Sequence, residues 1–136
     1  MAAFGCSLRT YQRQYRAAHP GFNAAAVRRY ESKIKLEILT HYGPCGIVRC
    51  NWIGCFINDI DMLSLDHVNN DGGEHRKALS GGVHAIYRDV RRKQYPPGYQ
   101  TLCFNHQLKK QILRHGHGTE VDRNLSRINQ ALTASC

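Results

Sequence analysis

The chain has 136 residues and 15.5 kDa, enough for one domain with an arm or tail and too short for a second full core. Hydrophobic residues make up 42% of it, yet no run approaches the roughly 20 consecutive apolar residues of a membrane span. A net charge of +9, from 19 Lys and Arg against 10 Asp and Glu, points to a polyanionic partner, most simply nucleic acid.

That charge is unevenly spread. Residues 1–41 hold seven basic and two acidic side chains, 42–84 three and five, 85–117 seven and one, and 118–136 two of each. An acidic middle between basic flanks suits a nuclease, which needs carboxylates to hold a cation among phosphates, better than a plain DNA-binding surface. The first 14 residues show no apolar segment followed by a small-residue cleavage site. An intracellular, reducing setting is therefore expected, in which the six cysteines favour metal over one another.

In chain order, Ser7 to Ala18 predicts a helix, with Leu8, Tyr11, Tyr15 and Ala18 near helical spacing. His19-Pro20-Gly21 ends it. Asn23 can cap a second helix, where Val27, Tyr30, Ile34, Ile38 and His41 trace one stripe until Gly43-Pro44. Residues 1–41 thus read as a basic helical arm. Met62 to Val68 alternates as a strand, and the run Asn69-Asn70-Asp71-Gly72-Gly73 reads as a loop. Val83, Ile86, Tyr87 and Val90 form one helical face, closed by Pro96-Pro97-Gly98. A second strand is expected over Tyr99 to Cys103 and a helix from Phe104 to Arg114. Gly116-His117-Gly118 then hinges into an amphipathic C-terminal segment, 118–136, with Val121, Leu125, Ile128 and Leu132 on one stripe.

Two constellations carry chemistry. Cys50 and Cys55 are separated by four residues, Cys103 and His106 by two, and 47 residues lie between the pairs. Three thiolates and an imidazole on two tight knuckles can close a tetrahedron around structural zinc, which staples a domain of limited core. Cys45 rivals Cys50 in this role, while Cys6 and Cys136 lie near the ends. The second constellation is Asp66-His67 at a strand end, followed by Asn69, Asn70, Asp71, Glu74 and His75. A base beside hard oxygen donors is what hydrolysis of a phosphodiester requires.

Taken together, strand, Asp-His, loop, second strand, knuckle and helix resemble the HNH endonucleases of the ββα-metal fold, in their phage-type and homing-type branch. The likeness rests on Cys55 to Asn69 (CFINDIDMLSLDHVN), on Glu74-His75-Arg76-Lys77 and on Tyr95 to His106 (YPPGYQTLCFNH). It implies an α+β nuclease core over 42–117, with the arm before it and the C-terminal segment after it. It also implies His67 as general base and Asp66 as ligand of a catalytic Mg2+ or Mn2+. The second cation ligand would be Gln107, where the family usually has Asn or His; Asn105 is the alternative. Asn69 or Asn70 resembles the middle Asn that braces the catalytic imidazole, and His75-Arg76 resembles a His-Arg pair whose Arg can grip phosphate bidentately.

Arg88, Arg91, Arg92 and Lys93 on one helix and Lys109, Lys110 and Arg114 on the next flank this site, and as a group they are expected to contact double-stranded DNA. The reading is a one-metal DNA endonuclease leaving 5′-phosphate and 3′-hydroxyl ends, with the C-terminal stripe a candidate homodimer contact. The alternative is a zinc-stabilised DNA-binding module without turnover.

Overall fold

Ser7 opens the first helix by accepting the backbone N–H of Thr10 through its side chain, an N-cap that satisfies one orphan donor of the first turn. In the computed structural model, which describes residues 7–116 together with 124, 127 and 128, the chain divides into two compact units between Lys33 and Ile34. The first contains α1 (Leu8–Ala18) and the first half of α2 (Phe22–His41). No residue of α1 is buried. Tyr11 and Tyr15 stack on one another and Tyr15 on His19, and Gly21, at φ 88°, supplies the left-handed turn that β-carbons disfavour.

The second half of α2 behaves differently. Ile34, Ile38 and Leu39 are almost completely buried, whereas Val27 and Tyr30 are half exposed. Of the stripe expected to run the length of α2, only Ile34 and Ile38 are buried, joined by Leu39, and His41 is exposed. Asn23 does not cap the helix either, because α2 already begins at Phe22.

After α2 the chain makes a short 3-10 turn at Pro44–Gly46 and a knuckle closed by Cys50 N–H to Ile57 C=O, 2.9 Å, and Cys55 N–H to Trp52 C=O, 3.0 Å. Strand β1 (Leu63–His67) pairs antiparallel with β2 (Tyr99–Cys103), placing Leu63 opposite Cys103, Leu65 opposite Thr101 and His67 opposite Tyr99. Between them lie α3 (Gly72–Leu79) and α4 (Val83–Arg92), and α5 (Phe104–Arg114) follows β2 directly. The architecture is α+β: five helices and a two-stranded antiparallel sheet among the described residues. No described helix is long and apolar enough to cross a membrane.

Two strands of five residues do not hold together in water unaided. Here Leu63 and Leu102 enter a core with Ile34, Ile38, Leu39, Ile86, Tyr87 and Val90, joined by Cys50 and Cys103. Polar bonds tie the knuckle and α2 to the sheet: Asn51 N–H donates to Thr101 C=O at 2.8 Å, and the Thr101 hydroxyl donates to Leu39 C=O of α2 at 2.8 Å. The far edge of β1 is closed by Tyr87, whose hydroxyl accepts the Leu65 N–H at 3.0 Å. The expected loop after β1 is shorter than its sequence suggests, because α3 begins at Gly72.

Candidate metal centre and cleft

Each knuckle supplies two ligand atoms. Cys50 and Cys103 are buried at the base of the core, Cys55 and His106 partly so, and the four ligand atoms lie within 4.8 Å of one another. His106 Nδ1 is 3.6 Å from Cys50 Sγ and 3.1 Å from Cys103 Sγ. Tetrahedral zinc with thiolate and imidazole ligands separates them by roughly 3.5 to 3.8 Å, so this Cys3His cluster could hold a metal ion such as zinc. Trp52 lies flat on His106, ring centroids 4.8 Å apart and planes 9° apart, and fixes the imidazole.

Burial, with Lys109 adding to it, lowers the His106 pKa and favours the neutral ring that binds metal. Burial pushes the Cys50 thiol up to about 12, so metal binding there displaces a proton. Cys45, the rival to Cys50, is not one of the four.

A cleft of about 430 Å³ is lined by Asp66, His67, Asn70, Gly72, Arg76, Gln107 and Lys110, among others. Of the sequence-predicted site residues, Asp66, His67, Asn70, Arg76, Gln107 and Lys110 meet there, and His75 is not among its lining residues. Asn70, in a left-handed turn at φ 61°, lines the cleft, while Asn69 lines a separate hollow beside Tyr42 and Pro97. Gln107 reaches the cleft; Asn105 is exposed on α5 and is not among its lining residues.

The carboxylate of Asp66 is already engaged. Its Oδ2 accepts from Gln100 Nε2 at 2.8 Å and from Lys110 Nζ at 2.5 Å. Lys110 also donates to the His67 carbonyl at 2.6 Å and is only 6% exposed. It is thus turned into the cleft and does not sit on an outer face, as the charge run on α5 suggests. The Gln107 amide nitrogen donates to the Ser64 hydroxyl, which leaves its carbonyl oxygen for another ligand.

His67 is buried at the end of β1, and that burial holds its imidazole below the ordinary histidine range, with His75 and Lys110 acting in the same sense and Asp71 and Asp66 against it. The ring packs edge-on against Tyr99 at 4.9 Å. His67 Nε2 is 3.0 Å from His75 Nδ1, and His75 Nε2 is 2.9 Å from Asp89 Oδ2. Asp89, on α4, is 4% exposed. It also meets Arg92 and Lys93, the latter at 2.7 Å. The hydrogen bond from Lys93, then those from His75 and Arg92, hold its carboxyl far below the usual carboxylate range against the opposing effect of burial.

The remaining cations proposed for DNA are arranged unevenly. Arg91 pairs with Glu37 at 3.1 Å, Arg92 and Lys93 with Asp89, and Arg88 is exposed on α4. Lys109 is half-buried on α5. Arg76 is exposed and lines the cleft. Asp89 is the functional candidate that sequence reasoning passed over. Its signal was present: it is the single acidic residue of 85–117, one position before Val90 on the apolar side of α4. The C-terminal stripe of Val121, Leu125 and Leu132 lies outside the described residues. Compared with known proteins, the chain matches no family model, no curated protein and no solved structure.

Proposed function

We propose that the chain is a metal-dependent DNA endonuclease of the HNH kind, with a ββα-metal core stapled by zinc at Cys50, Cys55, Cys103 and His106. One observation carries this reading: an imidazole below the ordinary histidine range, His67, shares an open cleft with Asp66, Gln107 and Arg76, on the same strand pair whose other end carries Cys103 of a Cys3His cluster. The zinc does no chemistry, since four protein ligands leave no position for water.

His67 takes a proton from a water molecule, and that oxygen attacks phosphorus in line with the departing 3′-oxygen. The P–O3′ bond breaks and the 3′-oxygen takes a proton from solvent, leaving 5′-phosphate and 3′-hydroxyl ends. Arg76 grips a neighbouring phosphate through its planar fork. Asp66, through the carboxylate oxygen that Lys110 does not occupy, and Gln107, through its amide oxygen, are the donors for Mg2+ or Mn2+. When bound there, the cation supplies the charge that offsets the electron density growing on the phosphate. Hard oxygen donors with room for water suit these ions, which keep several waters of their own.

A second reading is favoured by the same cleft: Lys110 and Gln100 already hold one oxygen of Asp66, as expected of a zinc-stabilised DNA-binding module without turnover. Incubating supercoiled plasmid and Mg2+ with wild type and His67→Ala separates the two. The endonuclease relaxes or linearises the plasmid and loses at least ~100-fold in rate on substitution. Gel shifts with intact plasmid from both proteins establish the binder, and equal cutting by both removes His67 from the mechanism.

A further inference from the structure

Asp89 is a nearly buried carboxylate far from the surface role that its arginine-rich helix suggests. Its two oxygens meet His75 Nε2 at 2.9 Å, Lys93 at 2.7 Å and Arg92. Two fixed cations keep it ionised, and an ionised carboxylate can only accept hydrogen bonds. His75 Nε2 must therefore carry its hydrogen. In a neutral ring the other nitrogen, Nδ1, is then an acceptor, and it faces His67 Nε2 at 3.0 Å and the Tyr99 hydroxyl at 3.4 Å. Both neighbours can donate to it.

His67 Nε2 accordingly holds the hydrogen of that ring, and its lone pair is left on Nδ1. That nitrogen stands against Gly72: a β-carbon built on Gly72 would come within 2.8 Å of it. Gly72 lines the cleft, so the absent side chain keeps the lone pair uncovered on the side from which water and phosphate approach.

We propose that Asp89 and His75 are positioning residues which, through a buried Asp89–His75–His67 chain of hydrogen bonds, fix His67 in the tautomer whose Nδ1 accepts the proton of the attacking water. The inference rests on the endonuclease reading for its catalytic meaning, but the chain itself can be read without DNA. An orienting carboxylate of this kind acts on rate more than on binding, because it sets which nitrogen is basic in the transition state.

The test pairs spectroscopy with kinetics on the full chain loaded with zinc. In two-dimensional ¹H–¹⁵N spectra recorded at neutral pH without DNA, His67 and His75 are both expected as neutral Nε2–H tautomers. Asp89→Asn keeps the shape but offers an amide N–H₂ that favours the opposite tautomer at His75. It is expected to shift the His75 and His67 signals and to lower kcat at least ~100-fold with little change in KM. His75→Gln can still accept from His67 and donate to Asp89, and is expected to retain more activity than His75→Leu.

A wild-type His67 protonated on Nδ1, or a His75 protonated on both nitrogens, overturns the chain of bonds. Asp89→Asn cutting at the wild-type rate overturns its catalytic meaning. Failure of the wild type to cut, with the tautomers as stated, overturns the endonuclease reading alone.

Discussion

A methyl group at position 72 would meet the His67 ring at three atoms, Nδ1, Cε1 and Cγ, between 2.8 and 3.3 Å. Gly72 opens α3 without a left-handed backbone, so alanine fits its conformation and as a better helix former stabilises the free chain by up to about 1 kcal/mol. The ring must move aside, and misplacing a reacting group by about 1 Å costs on the order of 10²-fold in rate. Displacing a buried ring that His75 and Tyr99 hold costs more than helix propensity returns, so Gly72→Ala is expected to lower both the melting temperature and, on the endonuclease reading, the rate of plasmid cleavage; parallel thermal melts and initial rates check both signs. At this scale the sequence made ligand types legible, because Cys50, Cys55, Cys103 and His106 announce themselves by spacing. The engagement of Lys110 with Asp66, 44 residues away, and of His75 with Asp89 depends on how α3, α4 and α5 are folded around β1. No local pattern encodes that.

Elements with apolar periodicity were legible to within a residue. The strand pair and α4 fall where alternation and the i, i+3, i+4 pattern put them, since each buries one face; α5 has its expected bounds, although Phe104, Leu108 and Ile112 are exposed and its buried residue is Lys110. Helix α3 has no buried residue, and a helix held by its ends and by polar contacts leaves no stripe to read. The Gly72-Gly73 start reads as loop for the same reason. Helix α2 shows the converse: a continuous stripe in sequence is buried only where a core exists to receive it, at Ile34 and Ile38. Strand β1 depends on α4 through one side chain, since Tyr87 is 4% exposed and accepts the Leu65 N–H. Tyr87→Phe leaves that donor without a partner, and leaving a buried donor unsatisfied costs about 1 to 3 kcal/mol. Urea denaturation of the two proteins at equal zinc is expected to show that loss, together with faster amide exchange at Leu65.

For the whole molecule, the apolar core around a two-stranded sheet is small, and two of its fully buried members, Cys50 and Cys103, belong to the metal cluster. Metal binding of this type is coupled to folding. A chelator strong enough to strip zinc is expected to abolish the near-ultraviolet circular dichroism signal of Trp52, which stacks on His106. On the endonuclease reading, removal of Mg2+ alone is expected to leave that signal intact and to stop cutting. Elemental analysis of the purified chain should return one zinc per molecule. Charge asymmetry was legible in the composition of the whole chain; the inward turn of Lys110 was not.

The centre also sets an order of events during synthesis. Cys50 and Cys55 leave the ribosome long before Cys103 and His106, and β1 precedes its partner strand by more than thirty residues. The sheet edge cannot find its complement before Cys103, nor the knuckle before His106, has been added. The growing chain therefore remains without its cleft, and without a finished ion clasp, until α5 emerges. A chain cut short before that residue would hold neither the four-ligand cluster nor the cleft that β1 forms with α5.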